Sequence, residues 1–261
     1  MTTTPVRKWD GRAAAYAATF AGQCAHAIEP LLDALDPQPG ATLLDVGTGA
    51  GAVAVAALAR GCAVTGVDPE ADMLELARLA ASGAVLVQAS LPSLPFPEGG
   101  FEVVVANFVL NHVPDAGEAA RELRRVLRPG GRLGVSVWPA ASRPLRDLWD
   151  EVVREAGVTS VPRSTTGQLS TPDGLARMLG AAGFTATGAW LHEFEHVVDP
   201  ELWWSAAERG VANIGQTFLA QDAAGRAAMR AAYVRLSRQY LGTDGLLHLP
   251  GAAVLAVASR P

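Results

Sequence analysis

Five short apolar runs, at 42–46, 63–67, 84–88, 102–107 and 132–137, punctuate the first 140 residues, and Ala- and Leu-rich stretches long enough for helices separate the first of them. Short β-branched runs alternating with helical stretches read as βαβ units, which demand a parallel sheet with helices on both faces. Local signals place the helices. Asp68-Pro69 predicts an N-cap followed by proline at the first helical position, with Glu70 and Asp72 at the positive end of the dipole. Asp115 with Glu118 resembles a capping box for a helix running through Arg128, where "RPGG" ends it. Thr171-Pro172-Asp173 starts another, to about Ala182, and Gly183 closes it.

The rhythm stops after a strand at 184–194. Residues 199–241 read as two or three inserted helices, and "LLHLPGAAVLAVASRP" reads as a closing strand. Four segments are therefore expected: a helical cap over 1–40, a core over 41–198, a helical lid over 199–243 and the last core strand over 244–261. A chain of 261 residues builds such a core without a metal or disulfide staple.

Composition excludes several functions. The net charge is -5 and Lys8 is the only lysine, so no basic stripe is available for nucleic acid. Cys24 and Cys62 lack the paired spacing of a zinc or redox site and read as packing. "MTTTPVRKWD" has no apolar signal region, and no run approaches the roughly 18 apolar residues of a membrane span. A soluble cytoplasmic protein is expected, of open oligomeric state.

The chemistry concentrates in "LLDVGTGAGAVAVAALARGCAVTGVDPEADML". A strand ending at Asp45 turns through Gly47-Thr48-Gly49-Ala50-Gly51 into a helix, and glycine there lets bare N–H groups approach a ligand. Asp68, about 20 residues on, ends the second strand, where a carboxylate accepts both hydroxyls of a ribose. With Ala52 in the third place the loop also satisfies the looser dinucleotide pattern, so the glycines alone leave NAD open. A carboxylate at 45 suits a ligand bearing an amine or a sulfonium better than a pyrophosphate.

The segment from Trp9 to Trp138 resembles the class I S-adenosylmethionine-dependent methyltransferases of the small-molecule group that includes the ubiquinone and menaquinone enzymes. The likeness rests on "LLDVGTGAG", "VTGVDPEADMLELAR", "LPFPEGGFEVVVANFVLNHVPD" and "ELRRVLRPGGRLGVSVW" in order, with "STPDGLARMLGAAGF" as a weaker match. It implies a Rossmann-like seven-stranded α/β sheet with helices on both faces, an N-terminal helical cap and a helical lid before the last strand. The implied cofactor is S-adenosylmethionine, leaving S-adenosylhomocysteine as product. By the same resemblance, Asp45 and the 47–51 loop hold the methionine portion and ribose edge, Asp68 takes the ribose hydroxyls, and Pro69, Met73 and Leu91 flank the adenine. Asn107 touches the methionine head, and Trp9 and Tyr16 close over the whole.

Two positions depart from the family. Ser90 stands where an acid usually accepts the adenine amino group, and a hydroxyl accepts more weakly. Asn111-His112 replaces a His-His pair, so the first residue cannot take a proton and His112 becomes the candidate base, or a structural histidine. His192 and His196 fall on one strand face without a third ligand in view, so no metal is expected. Trp138, Trp149, Trp190, Trp203, Trp204 and Phe218 supply aromatic surface for a lid and pocket, and Arg143, Arg146 and Arg163 could hold an acidic group. The expected partner is thus a small, apolar or aromatic molecule, with no nucleic acid and no membrane. Methyl transfer to O, N or C is the expected reaction. A cyclisation or pericyclic step in the same pocket, an NAD-dependent oxidoreductase and a cofactor-sensing protein remain as alternatives.

Overall fold

The computed structural model describes residues 11–140, 144–161 and 167–261. Three short helices come first: α1 (Ala13–Ala18), α2 (Phe20–Ala25) and α3 (Ile28–Leu35). The alternating part follows as β1 (Thr42–Val46), α4 (Ala52–Ala59), β2 (Ala63–Asp68), α5 (Ala71–Ala80), β3 (Val85–Gln88), β4 (Phe101–Asn107), α6 (Ala116–Val126) and β5 (Leu127–Val137). Beyond it lie α7 (Pro144–Glu155), α8 (Pro172–Ala181), β6 (Thr185–Val198), α9 (Pro200–Glu208), α10 (Ala212–Leu219), α11 (Ala223–Ser237) and β7 (Leu247–Ser259).

The strands form one seven-stranded sheet in the order β3-β2-β1-β4-β5-β7-β6. The first five are parallel, and β7 runs antiparallel between β5 and β6. Strand periodicity sorts the core into two layers. Leu44, Val104, Ala106, Leu133 and Val135 pack with Leu123 of α6 and Leu179 of α8. Their neighbours Leu43, Val103 and Val105 pack the other way, with Leu32 and Leu35 of α3 and Val53 and Ala57 of α4. The apolar runs are therefore continuous because both faces are covered.

The caps hold with two changes. Asp115 accepts from the Glu118 N–H at 2.9 Å and Thr171 from the Gly174 N–H at 3.1 Å, opening α6 and α8. α6 ends at Val126 rather than Arg128, because Leu127 is already extended and opens β5. Asp68 does not cap α5: Glu70 takes that place without a side-chain bond, since the Asp68 carboxylate is turned back to the glycine loop. The segment after β6 holds three helices, and β7 then inserts between β5 and the edge strand β6. Among the described residues no helix is long and apolar enough to cross a membrane.

Candidate functional site

The carboxyl ends of β1, β2 and β4 meet at the glycine loop. Gly47, Gly49 and Gly51 all have positive φ, at 68°, 53° and 91°. Their tasks differ. A Cβ on Gly47 would lie 2.5 Å from Val109 Cγ2, and one on Gly51, which caps α4, would press on Ala77 at 3.1 Å. The Gly49 N–H donates to Asp68 Oδ2 at 2.9 Å, and the Glu70 N–H donates to Oδ1 at 3.0 Å. Asp68 thereby ties the loop to the end of β2, and burial raises its pKa.

Above this loop opens a cavity of about 990 Å³. Gly47, Gly49, Asp68, Pro69, Met73, Ser90 and Leu91 line one part, with Tyr16 and Asn107 alongside. Residues that the sequence scatters between positions 16 and 107 thus converge. A recess of about 40 Å³ continues beneath Tyr16 and Asn107 and includes Thr48. His112, exposed, and Asn111, buried, line the cavity where β4 gives way to α6. Trp9, Arg143 and Arg163 lie outside the described residues.

Asp45 is placed differently from expectation. It is buried behind the loop rather than on the cavity wall, because β1 turns its side chain under Thr48, whose hydroxyl donates to Oδ2 at 2.6 Å. Its Oδ1 has no partner among the described residues. Burial pushes its pKa up to about 7, against the Thr48 bond, which lowers it. Asn107 is likewise engaged: its Oδ1 accepts from Ser136 Oγ at 2.5 Å and its Nδ2 donates to the Cys24 carbonyl at 3.1 Å.

The other part of the cavity has aromatic walls. Phe108 stacks on Trp138 with centroids 4.0 Å apart, and Trp149 and Phe20 line the same space. Trp203 and Trp204 are instead core: they bury against Trp149, Tyr233 and Met229, binding α9 and α11 to α7. Trp190 and Phe218 also pack outside the cavity lining. Arg146 does reach it, with Nη1 3.4 Å from the Pro139 carbonyl.

Among the cavity residues that carried no motif are Phe20, Gln23 and Cys24, all on α2. Their i, i+3, i+4 spacing marks one helix face, and a glutamine on that face was the available signal. Cys24 is therefore more than packing; its thiol bonds the Tyr16 hydroxyl, and burial pushes its pKa up to about 12. Cys62 is plain core. His192 and His196 share a face with Phe194, and His26 joins them, its Nε2 3.3 Å from His196 Nδ1. Among the described residues no three His, Cys, Asp or Glu groups are arranged to hold a metal ion.

Residues 44–135 match the family described as a methyltransferase domain. The chain is similar to nocamycin O-methyltransferase of Saccharothrix syringae, 36% identical over 176 residues covering 61% of this chain and 59% of that one. It spans less than two thirds of the length of such curated relatives. A Haemonchus contortus N-methyltransferase, solved with phosphomonomethylethanolamine and S-adenosylhomocysteine, superposes with a TM-score of 0.55 at 20% identity, over 90% of this chain and 52% of that one. The [4+2]-cyclase SpnF superposes at 0.57 and 20% identity, over 91% of this chain and 81% of that one. At such identities both speak for the fold alone.

Proposed function

We propose that this chain, whose residues 44–135 match a methyltransferase-domain family, is a class I S-adenosylmethionine-dependent methyltransferase that transfers the methyl group of that cofactor to a nucleophile on a small, apolar or aromatic molecule. The observation that carries the reading is one cavity that runs from an Asp68-braced glycine loop to aromatic walls roofed by the lid.

The residues present fit the cofactor. Asp68 faces the cavity with acceptor capacity left on both oxygens for a ribose diol. Met73 and Leu91 offer apolar surface to an adenine, with Ser90 beside them. The recess under Tyr16 and Asn107 leads to the methionine end, and the orphaned Oδ1 of Asp45 behind it supplies a negative charge for a cationic ligand. When bound, S-adenosylmethionine supplies an electrophilic methyl on a sulfonium. The chain's own contribution is alignment and exclusion of water, which suffice for an in-line displacement. The aromatic walls hold the acceptor flat, and α10 covers it from the far side. His112 takes the proton where the nucleophile starts protonated. The nocamycin relative, named for O-methylation, supports oxygen as the methylated atom.

A second reading is favoured by Asn111, whose amide cannot act as a base and whose Oδ1 accepts the Trp138 N–H at 3.4 Å. In it the same pocket steers a cyclisation and the cofactor is a fixture.

The test is calorimetric titration with S-adenosylmethionine, S-adenosylhomocysteine and NAD, repeated on Asp68→Ala. Both sulfur ligands are expected to bind, NAD not at all, and the variant to lose at least about tenfold, the worth of one charge-assisted bond. Binding of neither sulfur ligand ends the proposal. Transfer of labelled methyl into a hydroxylated aromatic then separates the first reading from the second.

A further inference from the structure

Five carboxamide side chains line the cavity among the described residues: Gln23, Asn107, Asn111, Asn213 and Gln216. Four are spoken for. Asn107 is bonded at both ends, Asn111 accepts from Trp138, Asn213 Nδ2 donates to the Val161 carbonyl at 3.0 Å, and Gln216 Nε2 donates to the Gly210 carbonyl at 2.9 Å. Gln23 is only 4% exposed, yet its side chain has no hydrogen-bond partner among the described residues. Its amide keeps a small exposure, and the space that it borders is the cavity.

A carboxamide in so buried a wall is costly unless something pairs with it. Its neighbours do not: Phe20, one turn earlier on the same face of α2, stacks on Trp203 at 5.2 Å, Phe108 stacks on Trp138, and neither indole of the wall, Trp138 or Trp149, donates to it. We infer that Gln23 is a specificity-determining positioning residue whose carboxamide bonds an oxygen function of the acceptor, which is a hydroxylated aromatic, a phenol or an enol. The carbonyl oxygen accepts from the hydroxyl, and the NH2 group remains free to donate to a neighbouring carbonyl. The aromatic walls select the ring and Gln23 selects the oxygen. This rests on the acceptor-pocket reading above, though the recognition needs no methyl transfer.

The test uses the full chain with two probes of nearly equal size, 2-naphthol and 2-methylnaphthalene, followed by quenching of tryptophan fluorescence with and without S-adenosylhomocysteine. Apolar burial alone favours the methyl compound. The wild type is expected to prefer 2-naphthol by about tenfold or more, a single paired buried bond. Gln23→Leu should erase the preference while leaving S-adenosylhomocysteine affinity unchanged and Tm level or higher, since an unpaired buried carboxamide is removed, and Gln23→Glu, which keeps an acceptor, should retain it. Absence of preference in the wild type, or of any binding, overturns the inference. So does a preference that survives in Gln23→Leu, or a parallel loss of both probes and of the cofactor product, which marks a structural residue. Naphthol discrimination without S-adenosylhomocysteine binding would sink the methyltransferase reading and leave Gln23 standing.

Discussion

A single buried oxygen sets the electrostatics of the loop. Asp45 has a pKa near 3.8 when unfolded and about 7 in the fold, chiefly from burial, so the folded chain holds a proton that the unfolded chain has released between those values. Its contribution to stability therefore falls as pH rises through that window. Asp45→Asn is expected to melt higher than the wild type at pH 8 and level with it at pH 4, by differential scanning calorimetry. A cationic ligand favours the ionised form, so S-adenosylmethionine should release protons on binding near pH 6, seen as a buffer-dependent calorimetric enthalpy, and the variant should abolish that dependence. Gly47→Ala places a side chain at φ 68° and 2.5 Å from Val109, costing about 1–2 kcal/mol from the left-handed backbone alone. S-adenosylhomocysteine affinity should fall by about tenfold, measured by the same titration. Asp45 lies behind the wall on which it was expected, whereas Asp68 and the glycines were legible because a turn that brings backbone to a ligand needs particular residues at particular spacings. Gln23 and Cys24 were not, since what they face is decided by elements more than 80 residues away.

Among the elements, the lid depends on one close approach. The turn between α9 and α10 stacks two glycine backbones, and a Cβ on Gly215 would lie 2.2 Å from the Gly210 carbonyl carbon. Neither is a flexible side chain, so neither can yield. Gly215→Ala is expected to cost about 3 kcal/mol or more, read from chemical denaturation. It should also weaken 2-naphthol binding, through Ala212, Asn213 and Ile214 in the wall, more than cofactor-product binding. The lid was legible as helices, from Asp199-Pro200 and the long apolar spacing of 223–237, and its tryptophans proved mostly to be its own core. Its orientation over the cavity was not, because it comes from the burial of Trp203 and Trp204 against α7 and α11 rather than from any local signal. The start of α5 was misread for a related reason: Asp68 has the sequence of a cap and the geometry of a brace, and the long-range bond to Gly49 wins.

At the scale of the whole molecule, the first helices meet the edge of the sheet through histidines. His26, at the end of α2, and His196, on β6, are both held below their ordinary pKa of 6.5 by burial, His196 down to about 4, with His192 adding its charge to His26. Neutral imidazoles belong to the fold, so their contribution is complete above pH 6.5 and is lost as pH falls toward 4. The shift on His196 is worth about 3 kcal/mol at most. His196→Gln should flatten the acid side of a stability-against-pH curve, an effect opposite in sign to that of Asp45 and therefore separable by comparing the two variants. The alternation of the first 140 residues was enough to predict the parallel half of the sheet. The place of β7 was not readable from the residues, because a strand's neighbours are chosen by pairing across the molecule, and only the family resemblance implied it. That placement governs how the molecule comes into being. β7 leaves a ribosome after the other six strands of this sheet and bridges β5 and β6. Until residue 259 has emerged, the 14 residues of β6 have no partner on that side and the lid hangs from an unanchored strand. The glycine-loop half of the cavity can assemble before β7 emerges; the half that β7 lines waits for it, and nascent chains stalled before 247 would expose a long sticky edge to each other and to chaperones.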